Sequence, residues 1–260
     1  MVRRSSGQAA HSTDPSTGQV VQGGKNLYGY AIGILMLEAR FPRIPGDMGN
    51  AHTFPFPVLY HIVRGASPDR VVRRPDVQLL RHFIAGARDL EAAGVRAVTT
   101  NCGFLIRYQA ELARAVGIPV FTSSLLQVPL LLRMLAPGRS VGIITIDAGS
   151  LTASDLAQAG ITPEMPVHVE GVENDEHFAD AILNDRSTLD VERCAQEHER
   201  AARRLLDAHP DIGAFVLECT NMPPYALRIQ AATDLPVFDI VTLTNWVHAA
   251  LVREPFGGRL

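Results

Sequence analysis

Two segments of this chain, 117 positions apart, are built on one plan. VTTNCGFLIRYQAELARAVGIPVFTSS begins at Val98, and FVLECTNMPPYALRIQAATDLPVFDIV begins at Phe215. In each, an apolar run ends in a cysteine (Cys102, Cys219), with a tyrosine six residues on (Tyr108, Tyr225) and Pro-Val-Phe seventeen residues on (from Pro119, Pro236). A glycine-containing apolar run opens each half, AIGILML at 31–37 and SVGIITI at 140–146. Several matches in one register mark a duplicated supersecondary unit.

The unit is an alternation of short strands and amphipathic helices. Further strand-like runs are PVLYHIV (57–63), RAVTTN (96–101), PVFTSS (119–124), PVHVEGV (166–172), AFVLECT (214–220) and PVFDIV (236–241). Helical spacing puts Val77, Leu80, His82, Phe83, Ile84, Ala87 and Leu90 broadly on one side of 76–93. It puts Leu189, Cys194, His198, Ala201 and Leu205 on one side of 187–209, with Ser187 and Asp190 as N-terminal caps. Strands alternating with helices give parallel sheets covered on both faces. The predicted fold is therefore α/β: two similar lobes, each a parallel sheet flanked by helices, related by a pseudo-twofold axis. The boundaries expected are a flexible tail over 1–26, a first lobe over 27–124 plus 242–260, and a second lobe over 125–241. The tail is rich in Ser, Thr, Gly and Gln and poor in large apolar residues.

Composition narrows the partners. A net charge of -3 gives no footprint for nucleic acid or an anionic membrane, and no apolar run approaches the roughly 18 residues of a membrane span. Three cysteines do not make a disulfide framework, and with no export signal in the sequence the expected compartment is the reducing cytoplasm. The nine histidines show no His-x-x-x-His spacing, and the glycines lack the Gly-x-Gly-x-x-Gly form, so neither a metal nor a nucleotide cofactor is expected.

In open α/β sheets ligands bind beyond the carboxyl ends of the strands. Both repeat cysteines stand there, and lobes facing across a pseudo-twofold axis bring them to one cleft. Gly103 is expected to let backbone N–H groups approach a ligand. The helix start after each cysteine favours an anion and lowers a thiol pKa from its ordinary value of about 8.5. Thr220 and Asn221 add hydroxyl and amide groups at the second cysteine. Two thiols on opposite sides of a bound carboxylate suit proton removal from the adjacent carbon and proton return to its other face. Cys194, on the apolar side of its helix, reads as core. Tyr108 and Tyr225 fit packing roles and ligand contacts equally. The proline-rich segment 41–57 follows the first strand and reads as a loop over the cleft, in which Arg40 or Arg43 is placed to pair with a second substrate carboxylate.

NCGF at 101–104 and ECTNMP at 218–223, in two α/β halves, resemble the cofactor-independent aspartate/glutamate/hydantoin racemase superfamily. The resemblance covers the body from about Tyr30. It implies an active site between lobes, a homodimer, and Cys102 and Cys219 as the acid and base. It also implies that Asn101, Gly103, Thr220 and Asn221 hold a small carboxylate substrate. Glutamate racemases carry a histidine where this chain has Asn221, and an Asp-Ser pair where it has MLEARFPRIPGDMGN, with Glu38 or Asp47 as stand-ins. The function expected is cofactor-independent racemisation or epimerisation of a small carboxylate such as aspartate or glutamate. A maleate-type cis–trans isomerase with a nucleophilic cysteine, or a silent carboxylate-binding protein, stays open beside it.

Overall fold

A computed structural model describes residues 23–175 and 177–257. Most of the expected N-terminal tail lies outside the described residues, and its last four positions, 23–26, are exposed. The first half runs β1 (Ile32–Leu37), β2 (Val58–Val63), α1 (Pro68–Val71), α2 (Leu80–Ala93), β3 (Ala97–Thr100), α3 (Gln109–Ala115), β4 (Val120–Phe121) and α4 (Val128–Met134). The second runs β5 (Ser140–Thr145), α5 (Ala153–Gln158), β6 (Val167–Gly171), α6 (His177–Leu183), α7 (Val191–Ala208), β7 (Ile212–Leu217), α8 (Ala226–Thr233), β8 (Val237–Phe238) and α9 (Ile240–Leu251).

The strands form two parallel four-stranded sheets of identical topology, β2-β1-β3-β4 and β6-β5-β7-β8. Continuous apolar runs make the central strands: every residue of β1, β3, β5 and β7 is buried. The duplication extends to register. Leu35 pairs with Thr100, two residues before Cys102, and Ile144 pairs with Leu217, two residues before Cys219. Both cysteines therefore leave their sheets at equivalent points on the carboxyl edge.

The helices largely follow the sequence pattern. Phe83, Ala87 and Leu90 of α2 are buried, but His82 is exposed, and Val77 is 75% exposed because it sits in a 3-10 turn before the helix. Asp190 caps α7 by accepting from the Arg193 N–H, while Ser187 lies three residues outside that cap. Cys194, His198, Ala201 and Leu205 of α7 are buried, as their spacing required.

The helices that follow the short edge strands cross between lobes. Val128 and Leu131 of α4 pack on Val141, Ile143 and Val216 of the second sheet. Ile240 and Leu243 of α9 pack on Ile32, Ile34, Ala97 and Phe121 of the first. Each sheet thus owes part of its cover to a helix that directly follows the chain's passage from the other sheet. Among the described residues no helix is long and apolar enough to cross a membrane.

Candidate active site

The carboxyl edges of the two sheets face one another across a narrow cavity. Leu37, Asn101, Cys102, Gly103 and Phe104 line it from the first half, and Ile146, Ile182, Leu183, Cys219 and Asn221 from the second. Phe41, Pro68 and Val72 complete the wall, which among the described residues carries no Lys, Arg or His side chain. The two cysteines, 8% and 7% exposed, are the only ionisable side chains on it among those residues.

Each thiol sits at the start of a tight turn. Cys102 precedes the 3-10 turn Gly103–Tyr108, and the N–H groups of Phe104 and Leu105 point at its sulfur. The Asn221 N–H points at the sulfur of Cys219. These dipoles favour thiolate, yet both thiols ionise far above the ordinary range, which corrects the expected direction. Burial pushes Cys102 up to about 12, with the charge of Glu218 adding to it. Burial followed by Glu218 also pushes Cys219 well up. Desolvation outweighs a few oriented amides when the one nearby cation, Arg107, is paired with Asp155.

Cys219 is tied to the 41–57 loop. Its thiol donates to Asn221 Oδ1 at 3.6 Å, and Asn221 Nδ2 donates to Asp47 Oδ2 at 2.6 Å. Asp47 Oδ1 accepts from Arg43 Nη1 at 2.9 Å and from the Gly49 N–H at 2.7 Å. The loop thus reaches the second cysteine through a buried carboxylate that the spacing of the sequence did not single out. Glu38 is elsewhere, paired with Arg64 and the Gly65 N–H near the surface. Neither candidate arginine lines the cavity: Arg40 pairs with Asp185, and Arg43 with Asp47.

The other expected residues divide. Asn101 Oδ1 accepts from the Leu37 N–H at 2.6 Å, which fixes the amide and turns its Nδ2 toward the cavity. Thr220 is fully buried off the cavity wall, and its hydroxyl donates to the Asn101 carbonyl, locking one cysteine motif to the other. Gly103 lines the cavity, but its missing side chain serves a close approach between lobes. A Cβ there would overlap the carbonyl oxygen and Oε1 of Glu218. Tyr108 and Tyr225 pack, the first near Phe83 and the second stacked on His198.

Glu218 is the residue that sequence reasoning passed over. It is fully buried, and Thr145 Oγ1 donates to its Oε2 at 2.8 Å. Burial raises its carboxyl to about 8. The available signal was position, since a charged residue closes a wholly apolar strand at the place Asn101 holds in the first repeat. Apart from the cavity, His168, His209 and Asp211 bring possible metal-ligating atoms within 4.8 Å of one another, beside the starts of β6 and β7. The two imidazoles stack at 3.5 Å, so their lone pairs run nearly parallel and do not converge on one ion.

Comparison with known proteins follows the geometry. Dimethylsulfoniopropionate lyase 5 of Emiliania huxleyi is 32% identical over 237 residues, covering 88% of this chain and 47% of that protein. Dimethylsulfoniopropionate lyase 7 of the same organism is 31% identical, covering 86% of this chain and 68% of that one. The dimethylsulfoniopropionate lyase of Durusdinium is 27% identical, covering 88% and 78%. This chain spans about half the length of the first of these relatives. Among solved structures, unliganded arylmalonate decarboxylase superposes with a TM-score of 0.55 at 16% identity, over 88% of this chain and 95% of that one. A Bacillus anthracis glutamate racemase gives 0.54 at 15%, over 86% and 85%. All of these relatives are enzymes. The curated ones are lyases, which overturns the expectation of an amino-acid racemase. The Asp/Glu/hydantoin racemase family model matches residues 66–247, and the chain belongs to that family.

Proposed function

We propose that this chain is a lyase that cleaves a β-onium propionate of the dimethylsulfoniopropionate type. The observation that carries the reading is a cavity whose wall joins two cysteine thiols and two asparagine amides to apolar side chains, with no cationic side chain on it among the described residues. An aminodicarboxylate brings a net negative charge and calls for a cationic partner in such a site. A sulfoniopropionate is neutral overall and supplies its own cation, which apolar and aromatic surface accommodates. Phe41 and Phe104 are the aromatic members of the wall; each has an arginine over one face, Arg43 at 4.4 Å and Arg107 at 5.6 Å, which leaves the other face for the substrate. The curated relatives named for that substrate class, alignable over 86–88% of this chain, support the same choice.

The chemistry keeps the first step of the family's racemases and changes the second. The Asn101 amide holds the substrate carboxylate and stabilises charge that spreads onto it, while the N–H groups aimed at the two sulfurs favour the thiolate. One cysteine thiolate takes the proton from the carbon next to the carboxylate. The released electron pair forms the carbon–carbon double bond as the carbon–sulfur bond breaks, giving acrylate and neutral dimethyl sulfide. The abstracted proton stays on the cysteine and leaves to solvent after product release. The opposite thiol, protonated, donates a hydrogen bond to the reacting carboxylate.

The test is incubation of the purified protein with dimethylsulfoniopropionate, following dimethyl sulfide in the headspace and acrylate by proton NMR. Both products are expected in equal amounts, and Cys102→Ser and Cys219→Ser are each expected to abolish them. Absence of dimethyl sulfide with the unmodified chain, or its undiminished release by both serine variants, overturns the reading.

A further inference from the structure

Glu218 stands between the two cysteine motifs and has no role in the chemistry above. Its backbone adjoins Cys219, and its carboxyl fills the space that a side chain at position 103 would take, beside Cys102. It is fully buried. Oε2 accepts the Thr145 hydroxyl, and Oε1 has no hydrogen-bond partner. The nearest cation, Arg107, is held on both nitrogens by Asp155 at 3.2 Å. A carboxyl in such surroundings is neutral until a proton acceptor or a cation changes the local charge.

The charged and titratable groups facing it are few. The turn after β3 presents Cys102 and Arg107, α5 presents Asp155, and the turn after β7 presents Cys219. Asp47, from the long loop, faces Cys219 through Asn221. Two thiols and one carboxyl therefore share a water-poor space with one arginine already neutralised. Such a space accommodates one negative charge far more readily than two.

We propose that Glu218 sets the charge state of both cysteines, taking the site's single negative charge once it ionises and, as a carboxylate, accepting the proton released when one thiol becomes the base. The exchange is balanced: thiol plus carboxylate becomes thiolate plus carboxylic acid, and the site's net charge does not change. Glu218 acts through the thiols and does not touch the ligand, so it is a positioning residue. The charge of Glu218 makes both thiols harder to ionise, which agrees with this. The inference rests on the lyase reading only for its consequence in turnover, since thiol ionisation is measurable with no substrate.

The experiment is alkylation by iodoacetamide across a pH series, with the modified peptides resolved by mass so that Cys102 and Cys219 are followed separately from Cys194. In Glu218→Gln the two cleft thiols are expected to ionise one to two pH units earlier. That is roughly a ten- to hundredfold rise in alkylation rate at fixed mildly alkaline pH. Thr145→Val, which removes the hydroxyl favouring the Glu218 carboxylate while keeping the side-chain volume, is expected to move the rates the same way by a smaller factor. It serves as the test if Glu218→Gln does not fold. Profiles superimposable on the unmodified chain, in Glu218→Gln or in Thr145→Val where only that variant folds, overturn the inference and leave the lyase reading standing. A shifted thiol profile in a protein that releases no dimethyl sulfide upholds the inference and overturns the lyase reading alone.

Discussion

Replacing Glu218 with Gln should make the protein more stable, by an amount that depends on pH. In the folded chain the carboxyl ionises near 8 because burial penalises its charge, against an ordinary value of 4.5. The sign follows from linkage. A folded-state value raised above the unfolded one gives a contribution fully present below about 4.5, which is lost as pH rises toward about 8, because the unfolded chain ionises freely. Each pH unit in that window removes about 1.4 kcal/mol, so the loss is on the order of 5 kcal/mol by pH 8, or about 3 kcal/mol if water enters the site when it ionises. Glutamine keeps an acceptor for the Thr145 hydroxyl and has nothing to ionise. Guanidinium unfolding of both proteins should give similar midpoints near pH 5 and a gap that widens steadily to pH 8. A gap independent of pH would refute the reasoning, because it would mean that the carboxyl is ionised at the same pH in both states.

Three further outcomes follow from the same contacts. Gly103→Ala places a methyl group against the Glu218 carbonyl and carboxyl. It should cost about 2–3 kcal/mol in chemical denaturation and remove turnover, because the neighbour that must yield is backbone. Asp47→Ala leaves Arg43 unpaired in a largely buried position and frees the Asn221 amide that holds Cys219. The expected loss is about 3 kcal/mol in stability and tenfold or more in kcat, and adding Arg43→Met should recover the stability but not the rate. Thr220→Val removes the hydroxyl that ties the second motif to the Asn101 carbonyl. Thermal unfolding should register about 1–2 kcal/mol, while the alkylation profile of both thiols stays put.

The architecture was legible because parallel sheets write themselves in continuous apolar runs, and a duplicated unit writes its punctuation twice. The shared spacing from cysteine to tyrosine to Pro-Val-Phe foretold two similar parallel-sheet lobes, while their identical strand order and register are seen only in the structure. Cys102 and Cys219 were legible for the same reason. Their charge state was not. It depends on Glu218, Arg107 and Asp155, which come from three elements, and on an arginine–aspartate pairing that no local pattern displays. Asp47 was named beside Glu38 as a stand-in, but its contact with Asn221, which spans 174 positions, was equally hidden. Thr220 and Gly103 read as ligand contacts because small and hydroxyl residues serve binding and close packing alike. Only the three-dimensional neighbours distinguish the two uses. The choice of reaction was hidden as well, since the same proton abstraction serves inversion and elimination, and the departing group belongs to the substrate.

The crossing helices have a mechanical consequence. The chain passes from one lobe to the other at 124–127 and returns at 239–240, and Gln127 joins the two passages by donating to the carbonyls of Ser124 at 3.3 Å and Asp239 at 3.0 Å. Two covalent links clasped at one point act as a hinge pin. They resist sliding of one lobe over the other and leave rotation about the pin as the soft direction. Because α4 and α9 follow the pin directly and pack on the sheet the chain has just reached, each lobe is joined to the pin through a helix of its own. Widening the cavity mouth to admit a ligand therefore tilts both helices together, and a side chain wedged beneath either should slow entry and exit while the thiols stay in place.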